Sequence, residues 1–407
     1  MRSRVFYGWW VVAACLAVAT IGWGLGLFGS SVYLHALARD KGWSIGLISG
    51  AITLFYLVSA PLLVWVGSSI ARVGPRPIVA VGALAMGLGV ASLGWVSEPW
   101  HVYLSFLAMG VGWACLSTTA VTTTLAPWFE RHQGRAASTA LLGASVGGIF
   151  AAPSLVFAIE RLGFERAMLA AGATALVVVL PLAFFVLRRR PQDIGLLPDG
   201  EPTLAAVPPM AARRWTRTEA MRTSGFLSVA AAFGLGLMVQ IGFLTHHVSL
   251  LAPTLGAAVA AGVVTATAVS AFVGRLGLAR LADRVDNRLY TAGMMLLATA
   301  TLLVLALFPS APVLVVASVV YGFTVGNITT MTPIIIRREF GAASFGAVYG
   351  AASMAVGLLS GLGPAFYGAL HDALGGYGPV LLIAAAVEIV SAAVVLIGRP
   401  RVRTAAP

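Results

Sequence analysis

The chain has 407 residues, 59% of them hydrophobic and only 10% charged, with a mean hydropathy of +0.93. Soluble domains carry about 25% charged residues, so this composition excludes a soluble globular protein and points to a polytopic membrane protein. The net charge of +12 does not point to nucleic acid, because nearly all the basic residues lie in short loops and only Lys41 is a lysine.

Twelve apolar stretches are long enough to cross a hydrocarbon layer of about 30 Å at about 1.5 Å per helical residue. In chain order they are 8–30, 44–66, 78–96, 101–125, 136–159, 166–187, 224–250, 255–279, 290–309, 312–335, 344–370 and 377–397. The run that begins at Tyr7 is too long for the core of a signal peptide and has no small-residue cleavage site, so it is read as the first span. Between the sixth and seventh spans lies one polar stretch with Pro191, Pro198, Pro202, Pro208, Pro209 and seven Arg. It reads as a surface linker. The expected organisation is all-α: an N-terminal six-helix half at 1–187, a cytoplasmic linker at 188–223 and a C-terminal six-helix half at 224–407. Cys15 and Cys115 fall in apolar segments, so no disulfide framework is expected.

Charge bias sets the orientation. With the N-terminus in the cytoplasm, 21 basic residues fall inside and 4 outside, namely Arg39, Lys41, Arg161 and Arg166. Both termini are therefore expected on the cytoplasmic side of the plasma (inner) membrane. Trp9, Trp10, Trp43, Trp100 and Trp128 lie near segment ends and read as interface anchors.

The two halves repeat. Arg72 matches Arg284, Gly134 matches Gly346 and Gly163 matches Gly375 at an offset of 212, and Pro153 matches Pro364 at 211. Landmarks at nearly one spacing indicate duplication of a six-helix unit.

With these residues in hand the chain resembles the major facilitator superfamily over essentially its whole length. The superfamily's loop motif between helices 2 and 3 is close to G-x-x-x-D-R-x-G-x-R. Gly67, Arg72, Gly74 and Arg76 fit it, and Ala71 stands at the acidic position. The second copy keeps Asp283, Arg284 and Arg288, with Ala279 and Asp286 where glycines stand in the motif. The resemblance implies a gating role for both loops. The opening Tyr7-Gly8-Trp9-Trp10, the Trp128-Phe129 pair, Arg275 and Phe340-Gly341 resemble the monocarboxylate and oxalate/formate branch. In that branch an arginine of helix 8 binds the substrate carboxylate, and Arg275 is the match. The monocarboxylate members have Asp one turn before this Arg, where this chain has Ala271. The oxalate-type members add a Lys in helix 11, where this chain has no Lys or Arg.

Physical chemistry also singles out Arg275. It is the one full charge inside the eighth span, and placing it there costs from about 2.5 kcal/mol upward. Such a residue faces a partner, an anion or a watery cavity, or else snorkels to the headgroups. A guanidinium fork matches a carboxylate bidentately. Its repeat counterpart is Leu63, as expected of a residue that serves the substrate rather than the scaffold.

Thr118, Thr119 and Thr122 in the fourth span and Asn327 in the tenth lie at equivalent depth and supply neutral hydrogen-bonding groups. The plainer alternative is that the hydroxyls bond their own helix. Tyr33 and Tyr349 are candidate pocket aromatics or core packing. His246, His247 and Glu388 are the candidates for proton coupling. Two adjacent histidines with no further ligands do not make a metal site. The substrate-binding set is thus Arg275, Asn327, Thr118, Thr119, Thr122, Tyr33 and Tyr349, with no cofactor and no metal expected.

The expected function is a secondary transporter of a small organic anion, foremost a monocarboxylate, by proton symport or anion exchange. Its expected partners are a small carboxylate and the lipid bilayer, with no nucleic acid, and its expected state is a monomer. The alternative is an exporter of hydrophobic or drug-like compounds; a cavity-facing Arg and the lack of a cavity carboxylate both argue against a cationic one. No nucleophile elbow, His-Glu-x-x-His or paired intramembrane aspartates suggest an enzyme, and no P-loop supplies direct ATP drive.

Overall fold

The computed structural model describes residues 6–188, 190–200, 215–281, 284–341 and 344–398. Among these residues every regular element is helical, and twelve helices are long and apolar enough to cross a membrane. They are α1 (Gly8–Lys41), α2 (Ile45–Val73), α3 (Pro75–Trp95), α4 (Pro99–Leu125), α5 (Gln133–Leu162) and α6 (Phe164–Val186), then α7 (Ser224–Leu255), α8 (Ala257–Leu281), α9 (Asn287–Leu307), α10 (Ala311–Phe340), α11 (Phe345–Ser360 and Gly363–Leu374) and α12 (Tyr377–Ile397). The protein is a multi-pass membrane protein.

Several helices outrun their apolar stretches. Hydropathy measures the thickness of the lipid core, whereas a helix ends where its backbone is capped. Thus α1 continues to Lys41 and stops at Gly42 with φ 66°. Likewise α10 continues past 335 through exposed Arg337 and Arg338 to Gly341 with φ 78°. The repeat landmarks Gly163 and Gly375 both end their helices at positive φ, 79° and 75°. Only glycine adopts that conformation without strain.

Two compact units emerge, Met1–Pro208 with Leu244–Thr265, and Pro209–Phe243 with Ala266–Pro407. In the first, α1 packs on α5, α2 on α4, and α3 on both α4 and α6. In the second, α9 packs on α10 and α12, repeating the α3 pattern six helices later. The end of α7 and the start of α8 belong to the first unit. There Ser49 Oγ lies 3.2 Å from His246 Nε2, and the Thr265 hydroxyl donates to the Ile149 carbonyl at 2.8 Å.

Interruptions in α1 and α4 have no hydropathy signal. The first is a π-helical turn in α1 over Gly24–Phe28. The second is a break in α4. Its first piece ends at Cys115, and a second piece starts at Thr118 with Ser117 as N-cap, the Ser117 hydroxyl accepting from Ala120 N at 3.3 Å. Trp128, expected at the lipid interface, is instead fully buried against Phe6 and Tyr7.

The start of the linker is docked on the first unit. Asp199 has φ 55°, a left-handed backbone that Asp tolerates better than most residues. Its N–H donates to Trp128 O at 3.0 Å. Its carboxylate accepts from the main-chain N–H of Glu130, Arg131 and His132 at 2.9, 2.7 and 3.4 Å, and from His132 Nδ1 at 3.1 Å. These donors lie just ahead of α5, whose own N-cap, His132, makes no side-chain cap. Desolvation pushes the Asp199 carboxyl up, but the N–H donors of Arg131 and Glu130 and the His132 contacts outweigh it. They hold the carboxyl below the usual carboxylate range.

Candidate functional site

Arg275 stands on α8 beside a tight helix crossing. Backbone contact between α8 and α10 is made through glycine at three levels. A Cβ on Gly322 would run into Thr267 O, and one on Gly326 into Ala271 O. One on Gly274 would stand 2.7 Å from both Asn327 Nδ2 and Phe323 O. Small residues permit such an approach between membrane helices. Ala271, Gly274 and Leu278 are buried against this crossing, while Val273 and Leu276 are each 53% exposed. Arg275 is one residue, about 100° of helix rotation, from Gly274 and the same from Leu276. It is therefore half-buried on a flank it shares with Ala268 and Phe272.

Asn327 is fully buried and held at both ends of its amide. Oδ1 accepts from the Tyr290 hydroxyl of α9 at 2.8 Å, and Nδ2 donates to Phe323 O at 2.8 Å. The amide thus fixes α9 to α10 directly opposite Gly274, one residue before Arg275. The neighbouring hydroxyls of α10 bond their own helix: Thr329 to Val325 O and Thr330 to Gly326 O.

In the first unit, Thr122 donates to Thr118 O at 2.9 Å and Thr119 O at 3.3 Å. Thr118 is exposed and Thr119 half-buried, at the first residues of the second piece of α4. A helix start carries a partial positive charge that favours anions. Tyr33 is completely buried beside Gly29 and Phe106. Tyr349, in the second unit, is half-buried and stacks on Phe345 at 5.0 Å. Tyr33 and Tyr349 therefore belong to different units, and so do Thr118 and Arg275.

His246 and His247 are both buried, the former against Ser49. Ser49 Oγ already donates to Ile45 O at 2.6 Å, so His246 Nε2 is assigned as the donor to it. Glu388 is 1% exposed in the middle of α12. Among the described residues no group of three or more His, Cys, Asp or Glu is placed to hold a metal.

The two motif loops differ in detail. In the first, Gly74 (φ 88°) is the whole connection between α2 and α3, Arg72 is exposed, and Gly67 faces Thr119 and Thr123. Arg76 Nε donates to Leu187 O at 2.7 Å, just past α6. In the second, Asp283 lies outside the described residues, Arg284 is exposed and Arg288 is 2% exposed. Arg288 makes a bidentate pair with Glu339 at 2.6 and 2.9 Å, and donates to Ser228 Oγ, Gly225 O and Val395 O. It thereby ties α7, α9, α10 and α12 at one end of the unit. A cavity of about 660 Å³ lies beside it, lined in part by Trp215, Asp286, Arg338 and Glu339. Sequence reading missed Glu339, whose only signal was an acid following two arginines at the end of a span.

Twelve apolar helices in a duplicated pattern, with Arg275 in the middle of the eighth, are the architecture of a polytopic transport protein. The sequence profile of the Major Facilitator Superfamily matches residues 14–305 and 224–407, and the chain belongs to that superfamily. It is a transporter and not an enzyme. It is 28% identical to monocarboxylate transporter 11 of Mus musculus over 424 residues, covering 97% of this chain and 88% of the relative. The corresponding protein of Homo sapiens is 29% identical over 416 residues, covering 97% and 83%. Monocarboxylate transporter 13 of Rattus norvegicus is 28% identical over 341 residues, covering 81% and 75%. Among solved structures, a bacterial homolog of the human lysosomal transporter Spinster, inward-facing and unoccupied, aligns with a TM-score of 0.70 at 16% identity, covering 97% of this chain and 95% of that one. A variant of the nucleoside transporter NupG aligns with a TM-score of 0.71 at 14% identity, covering 96% and 100%. These two likenesses establish the fold.

Proposed function

We propose that this protein is a secondary active transporter of a small monocarboxylate, and that Arg275 binds the carboxylate. The observation that carries the reading is the Arg275 guanidinium in the middle of the apolar run of α8, beside a glycine-mediated crossing and absent from the equivalent place in the first repeat, Leu63. A cation that served only the fold would be expected to repeat with the scaffold. One cation matches one carboxylate, and α11 offers no second Lys or Arg for a dianion. Relatives named as monocarboxylate transporters support the same class. Drive comes from gradients, by proton symport or anion exchange. The charge bias supports an orientation with both termini cytoplasmic, and the plasma (inner) membrane is the proposed location.

The test is a thermal-shift screen of purified protein with mono-, di- and tricarboxylates, run on wild type and Arg275→Ala. A ligand that binds only the folded state raises the midpoint. The expected result is stabilisation of the wild type by a monocarboxylate and none of the variant. Stabilisation by amphipathic or cationic compounds alone would overturn the assignment in favour of an exporter.

A further inference from the structure

A carboxyl group sits deep in the second unit, and no ion pair to it is found among the described residues. Both oxygens of Glu388 face α7 at Gly236, where a Cβ would stand 3.5 Å from Oε1 and from Oε2, and 3.1 Å from Met295 Cε of α9. Gln240, one turn on along the same face of α7, is 4% exposed. Tyr321 of α10 and Tyr367 of α11 are buried within electrostatic reach of Glu388. Tyr321 packs on Phe243 at 4.2 Å, and the Tyr367 ring covers Gly242. Glu388 Oε2 and Gln240 Oε1 are both buried acceptors without a hydrogen-bond partner among the described residues.

The charged and titratable groups of the surrounding helices do not neutralise this carboxyl. On α9, Arg288 is two turns away and is taken up by Glu339, Ser228, Gly225 and Val395. On α7, His246 and His247 lie at least ten residues beyond Gly236, about 15 Å along the axis. Helices α10 and α11 contribute the two phenols. A bare carboxylate in such a place costs several kcal/mol, whereas the protonated acid avoids the charge. The proton also changes the hydrogen-bond count, because it turns an orphan acceptor into a donor for a site rich in acceptors.

We propose that Glu388 is a proton-binding site of the second unit and that its proton is the coupling ion of transport. The site rests on the transport reading above for its role, but not for its existence. One proton adds to a carboxylate oxygen of Glu388 when water reaches it and leaves from the same oxygen. No other bond changes.

The test uses the full chain in sodium-free proteoliposomes. Infrared difference spectra between acid and alkaline buffer are expected to contain a protonated-carboxyl C=O band in the wild type that is lost in Glu388→Gln. That variant is a neutral isostere expected to melt near the wild-type temperature. Glu388→Asp, which keeps the acid, should retain the band and guards against a folding defect in the first variant. With labelled lactate as probe, Glu388→Gln is expected to lose uptake driven by an inward proton gradient while keeping lactate counterflow. A pH-independent acid band in the wild type, or undiminished proton-driven uptake by Glu388→Gln, would overturn the proposal. Failure of the wild type to move any monocarboxylate would sink the substrate assignment, and the infrared result would still decide whether Glu388 takes a proton.

Discussion

Arg76 and Arg288 stand 212 residues apart, and each hydrogen-bonds a main-chain carbonyl at the end of the last helix of its own repeat: Arg76 to Leu187 O at 2.7 Å, and Arg288 to Val395 O at 2.6 Å. The anchor survived duplication, but its surroundings diverged. Arg288 has Glu339 as counter-charge, whereas the equivalent position in the first repeat is Pro127. Removing Glu339 leaves a guanidinium that is 2% exposed without its carboxylate. Glu339→Ala is therefore expected to destabilise the protein by about 3 kcal/mol, and Arg76→Ala, which loses one charged hydrogen bond, by about 1.5 kcal/mol. Denaturation in detergent measures both, and the reverse ranking would contradict this account.

Gly326 is expected to be intolerant of even one methyl group. Its missing Cβ is filled by the Ala271 carbonyl, main chain that has no rotamer to retreat into. Gly326→Ala should cost about 1–3 kcal/mol and displace α8 from α10. Carboxylate binding should weaken although Arg275 is untouched. Gly262, which meets nothing within 4 Å, is the control: Gly262→Ala should leave binding and melting unchanged.

Arg275→Lys separates charge from geometry. Lysine keeps the cation but not the planar fork. If the pair is bidentate, the conservative change should still weaken monocarboxylate binding about tenfold, or about 1.4 kcal/mol. Isothermal calorimetry on the stabilising ligand reads this directly. Equal affinity would mean that a point charge suffices.

The Asp199 clip carries a pH signature with a definite sign. Its carboxyl is held below the usual range in the folded protein, so its contribution is complete above the ordinary Asp value of about 3.9 and disappears as pH falls through the lower folded value. Trypsin cleavage after Arg131 and Arg135 should stay slow at neutral pH in the wild type. It should become fast in Asp199→Ala, which loses a cap of the kind worth about 1 kcal/mol. Asp199→Gly suits the left-handed backbone but also lacks the carboxylate. Protection equal to wild type in that variant would show that backbone conformation, not the carboxylate, holds the clip.

The membrane crossings were legible because lipid imposes one simple demand, about twenty apolar residues per crossing. The repeat was legible because helix-ending glycines such as Gly163 and Gly375 keep their spacing through duplication. The break at Leu116–Ser117 was not, since Ser and Thr sit comfortably in a membrane helix and also cap one; choosing between the two requires tertiary context. The pairing of Arg288 with Glu339 was illegible because 51 residues separate them. Arg275 was conspicuous in the sequence because a charge in hydrocarbon stands out at any separation. For Asn327 the sequence identified depth but not role, as its amide is committed to Tyr290 and Phe323.

The linker is fastened near both ends. Asp199 holds it to the loop before α5, while the Trp215 N–H donates to Ser344 Oγ at 2.7 Å and its ring meets Phe340 edge-on at 5.4 Å. The permissive stretch for grafting is thus much shorter than the 188–223 segment. A fluorescent protein or epitope spliced between Asp199 and Trp215 pulls on neither fastening. One spliced between Pro191 and Pro198 separates the Asp199 carboxylate from the sixth helix that delivers it. Splitting the gene for co-expression of two fragments follows the same boundary: each fragment keeps its own fastening only when the cut falls between these two residues.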